Sequence, residues 1–333
     1  MKWIRLGAGW PWKRQSAPVM ALGLYRGTQE WRLLQLVRGR EGGLRVHAAG
    51  VLAVRDAADE GRPGAEPEGL RLRAWMGDCG VVASTVVAGL PRSALRLWRM
   101  QVPAGLDAED MEHMALLDAQ GRHGLSGEAW CVDFGVLGPA ARMDEGVELL
   151  VAAAPRAEVE GWQQGLHSAG LPLQMLEVAA HAAKAAVLRA WRCQAGEGTG
   201  CHCIVLWEEE VATLLWMLDG VLLEEQGLEV RETPELAAGF AHHCRVRGVE
   251  LQQIWLAVDV PMAEAGLLRL YEALRQGIGM ACRDEAEPAV QWLQPWCGMA
   301  FGDAGVHERL LAQASGWWTV CGLALRGVDA WSC

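Results

Sequence analysis

No stretch of this chain is apolar for the roughly 20 residues that a helix needs to cross a bilayer. The longest uncharged run, Leu310 to Leu325, is interrupted by Gln313, Ser315 and Thr319. At the N-terminus, Met1-Lys-Trp-Ile-Arg carries positive charge. No signal-like apolar segment follows, because Gly7, Pro11, Lys13 and Arg14 break it. A cytoplasmic protein is expected. Cys-x-x-Cys is missing although there are 10 Cys, which in a reducing compartment stay thiols. Lysine is almost missing: Lys2, Lys13 and Lys184 are the only three among 30 basic residues. Phe and Tyr are scarce as well, at 3 and 2 against 17 Trp. Both biases follow G-rich codon usage and say little about function. A phosphate loop is also missing, since Gly196-Glu-Gly-Thr-Gly200 has no Lys-Ser/Thr after it and reads as a flexible linker. No Ser/His/Asp or Cys/His nucleophile arrangement stands out by spacing.

The 333 residues that are present, 51% apolar and 21% charged, suffice for two domains with their own cores. Charge is uneven. Residues 1–100 hold 16 Arg and Lys against 8 Asp and Glu, while the whole chain has a net charge of −11. A basic N-terminal half can face an anionic membrane leaflet or an acidic partner, or its Arg can simply be scattered and solvated. An acidic whole protein is not expected to bind nucleic acid. Cys201-His202-Cys203 and His242-His243-Cys244 offer zinc-type ligands. Adjacent residues on a helix diverge by about 100°, however, so no metal site is expected from them.

Three strand-like runs, Val19 to Tyr25, Trp31 to Val37 and Leu44 to Val54, form a predicted meander. A second meander comprises Cys203 to Leu206, Val211 to Leu218 and Val221 to Glu225, with Asp219-Gly220 as a type I′ turn signal. The two halves thus begin alike. Strand Val81 to Leu90 leads to an α+β module over 92–168, in which Asp107 caps a helix carrying Met111, Met114 and Ala115. Pro155 starts another with Val159, Trp162 and Leu166 at helical spacing. Strand Leu171 to Val178 and the Ala-rich helix Ala179 to Trp191 complete the first half. The second continues through a helix near Pro234 to Arg247, strand Gln253 to Val258, helix Met262 to Gln276 and a helix near Val306 to Ala314. The apolar run closing on Gly322-Leu-Ala-Leu-Arg-Gly327 reads as a strand.

Three segments carry a family resemblance. They are Leu90-Pro91 with Val102-Pro103-Ala104-Gly105-Leu106, then Ala169-Gly170-Leu171 with Met175-Leu-Glu-Val-Ala-Ala-His-Ala182, and finally Gly322 to Gly327. In order and spacing they resemble the PilM family of type IV pilus assembly proteins, which are actin-like and FtsA-like. The resemblance implies an α/β, actin-like two-domain fold with an inserted α+β subdomain. After a leader over 1–17, residues 18–91 and 169–195 would make the first domain and 92–168 the insertion. Residues 201–333 would make the second domain, with 231–280 as its outer subdomain.

The same resemblance locates a nucleotide site and shows it degraded. Actin-like ATPases need two glycine-rich hairpins, each with an Asp, so that backbone N–H groups approach the phosphates and Mg²⁺ is held. On the first hairpin Gly23 replaces the Asp, Tyr25 replaces a phosphate-facing Gly, and Arg32 lies near the family's Lys. On the second, Leu206 replaces the Asp and Glu208 the Gly. Glu208 to Glu210 then set carboxylates at the phosphate position, or form an ordinary solvated turn. Gly322 begins the terminal signature. No cofactor and no enzyme activity are expected, with ATP possible but disfavoured.

The implied partner is the cytoplasmic N-terminal tail of a PilN-like single-span inner-membrane protein. Other pilus assembly proteins would join it, making membrane association indirect and peripheral. Leu90, Leu97, Met100 and Val102 are candidate walls of the docking groove, with Arg96 and Arg99 orienting it against the membrane. The plain alternative makes the apolar ones core residues. Two other functions stay open: a GspL-like cytoplasmic component of type II secretion, and an ATP-binding protein of the actin and sugar-kinase superfamily with an atypical site.

Overall fold

The computed structural model describes residues 19–54, 68–82, 85–140, 146–196, 198–208, 211–248, 251–281, 288–311 and 315–329. The chain divides into two units: the residues up to Ala182 together with the chain from Leu323 onward, and Ala183–Gly322.

In the first unit, β1 (Val19–Arg26), β2 (Glu30–Arg38) and β3 (Leu44–Ala53) form the antiparallel meander. β4 (Thr85–Leu90) and β8 (Leu173–Val178) add in parallel on the far side of β1, giving the order β3-β2-β1-β4-β8. Side chains alternate across such a sheet. On one face Leu22, Leu24, Leu33, Val86, Ala88 and Leu90 join α1 (Glu68–Asp78) and α3 (Arg156–Ser168) in one core. On the other face Tyr25 and Val87 meet Ala182 and Leu323. Val159, Trp162 and Leu166 of α3 are buried, as their spacing predicts.

The inserted module is a three-stranded antiparallel sheet, β5 (Arg96–Pro103), β7 (Gly146–Pro155) and β6 (Trp130–Pro139), ordered β5-β7-β6. Helix α2 (Ala108–His123) packs on it through Ala115, with Met111 partly buried. Asp107 caps α2 by accepting from Glu109 N and Asp110 N, both at 2.9 Å, and Gly124 ends it at φ 64°. Met114, expected on the same packed face, is 37% exposed.

The second unit repeats the plan. β9 (Cys201–Glu208), β10 (Val211–Leu218) and β11 (Val221–Glu229) form an antiparallel meander. β12 (Gln253–Val258) and β13 (Ala289–Trp292) follow in parallel, in the order β11-β10-β9-β12-β13. Asp219 at φ 48° and Gly220 at φ 83° make the predicted left-handed turn. β11 is outermost, with Val221 61% and Leu223 58% exposed. Its Glu224 pairs with Arg247 and its Glu225 with Lys184. α4 (Ala179–Gln194) leads into this unit. α5 (Thr233–Arg247) and α6 (Glu264–Ala281) bury Leu236, Phe240, Leu270 and Leu274 against the sheet. The short strand β14 (Met299–Phe301) and helix α7 (Ala304–Leu311) precede α8.

The run through Gly322 to Gly327 is helical, within α8 (Trp318–Asp329), and not a strand. Asp259, just past β12, supplies the reason. Its carboxylate accepts from Trp318 N at 2.7 Å, from Thr319 N at 3.0 Å and from the Thr319 hydroxyl. A negative charge there satisfies the first backbone donors of the helix and complements its dipole. Among the described residues no helix is long and apolar enough to cross a membrane.

Candidate functional site

The second and third resemblance-bearing segments meet on the sheet of the first unit, whose β4 ends on Leu90 of the first. Arg326, from the terminal signature, pairs at 3.2 Å with Glu177 of β8. Leu323 packs with Val87 and Ala182, flanked by Tyr25 and Met175. A Cβ on Gly327 would lie 2.4 Å from that of Ala21 on β1. This convergence is structural: the signature makes the close packing of α8 on β1 and β4 possible.

Burial pushes the Glu177 carboxyl up to about 7, against the lowering effects of Arg326 and of the Val178 N–H bonded to it. A carboxyl pKa raised in the folded state means that the fold holds this proton more tightly than the unfolded chain does. Its contribution is therefore full below the unfolded value near 4.5 and is lost as pH rises through about 7. The stability advantage of wild type over Glu177→Gln should shrink by about 2 kcal/mol between about pH 5 and about pH 7.5. Urea midpoints of both proteins at the two pH values measure this.

Each position that the resemblance assigns to a nucleotide hairpin has a clear setting. Gly23 is buried mid-strand in β1, opposite Leu34 and beside Val87, and brings no acid. The Tyr25 ring fills the space over Gly89: a Cβ there would lie 3.1 Å from Tyr25 Cδ2 and 3.0 Å from Leu323 Cδ1. Arg32 is 4% exposed, and its Nε donates to Glu30 Oε1 at 2.5 Å. In the second unit Leu206 is 1% exposed, held between Thr213 of β10 and Ala257 of β12. Glu208 closes β9 opposite Val211, and Glu209 and Glu210 lie outside the described residues. Gly322 is buried in α8.

The cysteine and histidine clusters are packed into the fold. Cys203 is fully buried, and burial holds its thiol well above the usual value. His202 takes the Trp255 indole N–H on Nδ1 at 3.4 Å and meets Thr199 O through Nε2 at 2.8 Å. Among the described residues no group of three or more His, Cys, Asp or Glu could hold a metal ion.

The residues picked as groove walls are mostly core. Leu90 and Val102 are fully buried and Met100 is 7% exposed, and none of them lines a described cavity. Leu97 packs against the main core. Arg96 lies over the Trp130 ring at 5.8 Å and Arg99 pairs with Glu148 at 3.3 Å. Alternation explains the burial: β5 turns every second side chain, Met100 and Val102 among them, onto α2.

A real cleft opens nearby, between α1, β2 and α3. It has a volume of about 220 Å³ and an apolar floor of Trp31, Leu72, Trp162 and Leu166. The two indoles meet edge to face, with centroids 5.3 Å apart. Its rim is polar. Glu68 accepts from Trp31 Nε1 at 2.9 Å and lies 3.9 Å from Arg26, while Glu158 stands exposed at the start of α3. Gly161 and Gly165 border it one helical turn apart, and a Cβ at either would meet nothing within 4 Å. Sequence reasoning missed this site, yet it left a sign. Two helical glycines at i and i+4, beside a core Trp and with no turn to explain them, leave a backbone face open. A second cavity, of about 260 Å³, lies in the second unit among Leu256, Val258, Leu267, Trp292, Trp296 and Trp317.

Comparison with known proteins agrees with this architecture. None of the curated proteins matches the sequence significantly. The chain is similar to a solved PilM-PilN type IV pilus biogenesis complex, at 20% identity and TM-score 0.66, over 92% of this chain and 98% of that one. It is more distantly similar to a Bacteroides thetaiotaomicron protein of actin-like ATPase fold and unknown function, at 10% identity, TM-score 0.46 and coverages of 88% and 95%. The cytoplasmic domain of EpsL, an inner-membrane component of the Vibrio cholerae type II secretion system, aligns at 15% identity and TM-score 0.40, over 80% and 97%. The sequence profile of the type IV pilus assembly protein PilM matches residues 23–209. With more than half its length matched and two meander-plus-parallel sheets carrying an inserted α+β module, the chain is an actin-like protein and belongs to the PilM family.

Proposed function

We propose that this protein is a scaffold of a type IV pilus or related inner-membrane machine, and that it works by binding and not by catalysis. Its ligand is the cytoplasmic N-terminal tail of a PilN-like membrane protein, seated in the cleft between α1 and α3. The observation that carries this is the make-up of that cleft: an indole and leucine floor, bare glycine backbone along one wall, and carboxylates at the rim. An extended peptide with apolar anchors and basic flanks complements all three features. A solved relative containing both PilM and PilN supports the choice of partner. Calorimetric titration with a synthetic tail from a PilN-like protein of the same genome tests it, and absence of binding by the folded protein would remove the scaffold reading.

The second part of the proposal is a pseudo-ATPase. Phosphate binding on the first hairpin needs an acid and open backbone, whereas Gly23 supplies no carboxylate and Tyr25 fills the space with a ring. On the second, Leu206 is buried where an Asp is needed. Titration with Mg-ATP should show no binding in the micromolar range and no hydrolysis. Tight saturable binding that is lost in a folded variant changed at Gly23 would refute this reading.

A further inference from the structure

The C-terminal half of α4 is stitched to the end of β13 and the segment after it. Arg189 Nη1 donates to Cys297 O at 2.9 Å, Gln194 Nε2 donates to Trp292 O at 3.3 Å, and Gln294 N donates to Gln194 Oε1 at 2.6 Å. Inside this frame Cys297 Sγ donates to Cys193 Sγ across 3.0 Å. That is closer than two sulfurs approach in ordinary contact, and closure to a covalent bond requires about 1 Å of further movement. Gly298 makes the approach possible: a Cβ there would lie 2.9 Å from Cys193 Sγ. Cys193 is exposed and Cys297 is half-buried, whereas Cys131, Cys203, Cys244 and Cys321 are buried.

We propose that Cys193 and Cys297 are an oxidation site that closes to a reversible disulfide, tying α4 to the segment Trp292–Cys297. This role is independent of tail binding. With glutathione disulfide as oxidant, the Cys193 thiolate attacks one glutathione sulfur. The glutathione S–S bond breaks and the first glutathione leaves as a thiolate that takes up a proton. Cys297, having lost its proton to solvent, then attacks Cys193 Sγ and expels the second glutathione. The protein loses two electrons and two protons, and glutathione disulfide becomes two glutathiones. Exposure makes Cys193 the first sulfur attacked. Cys297 is the resolving one, its thiol pushed up to about 11 by burial and by the Cys193 sulfur beside it. The hydrogen-bonded frame holds the pair together before oxidation, so closure is effectively intramolecular. Trp292 and Trp296 lie in the tied segment and line the second cavity, so the bond fixes one wall of it.

Incubating the reduced full chain with glutathione disulfide and mapping non-reduced peptides by mass spectrometry tests this. The Cys193–Cys297 cross-link should form roughly tenfold faster than any other disulfide, and dithiothreitol should reverse it. Cys297→Ser should stop at a stable glutathione adduct on Cys193, and Cys193→Ser should leave Cys297 as a thiol. The inference is overturned if wild-type Cys193 accumulates as the adduct while Cys297 stays free. It is equally overturned if another cysteine pair closes first. Mapping the wild-type protein decides the matter even where a variant folds poorly.

Discussion

Gly165→Trp should weaken binding of the partner tail by about a hundredfold. Filling the cleft with an indole denies burial to one apolar anchor, worth about 2–3 kcal/mol, and each 1.4 kcal/mol is about a tenfold change. The fold should tolerate the change, since a Cβ at Gly165 meets nothing within 4 Å and glycine is a weak helix former. Gly121→Trp is the matched control. It places the same side chain on an equally open helical glycine, in α2, away from the cleft. Calorimetric titration of the three proteins with one tail peptide should show wild-type affinity for the control alone. Equal affinity in both variants would move the tail elsewhere on the protein. A charge at Met100 would be a poor probe, because a 7% exposed side chain in the module core reports on folding and not on docking.

Gly327→Ala should lower stability by about 2 kcal/mol, although alanine is the better helix former by about 1 kcal/mol. The new methyl would sit 2.4 Å from Ala21 Cβ and 3.2 Å from Val87 Cγ2. Neither neighbour can recede, since both are fully buried and β1 is hydrogen-bonded on one side to β2 and on the other to β4. Overpacking therefore outweighs propensity. Thermal denaturation should show a midpoint lower by about 4–8 °C. Combining Gly327→Ala with Ala21→Gly removes the opposing methyl and should recover most of the loss. If the double variant is no more stable than Gly327→Ala, the close approach of α8 to β1 is not what sets the stability.

What the sequence reveals depends on how local the deciding interaction is. Both meanders are legible because strand alternation and the Asp219-Gly220 turn act over neighbouring residues. The N-terminal cap of α2 is legible for the same reason, since Asp107 bonds residues two and three positions ahead. The run ending at Gly327 is different. A short apolar segment fits a buried strand and a buried helix equally by pattern, and the deciding cap comes from Asp259, some 59 residues upstream of Trp318. The cleft is non-local in the same sense. Trp31, Leu72 and Trp162 converge from β2, α1 and α3, and each alone reads as an ordinary core residue. The family resemblance located the inserted module. It could not say which face of β5 points inward, and so it put groove walls on residues that the strand turns into the core.

The outermost strand β11 has a practical consequence. Lateral addition of a strand from another molecule is the usual hazard at an open sheet margin, and a margin carrying Val221 and Leu223 invites it. Glu224 and Glu225, paired with Arg247 and Lys184, and Glu229 punctuate that margin with charged groups that an added strand would have to desolvate. Concentrated stocks that cloud should therefore do so by association at this strand. A lysine in place of Leu223 would keep them clear.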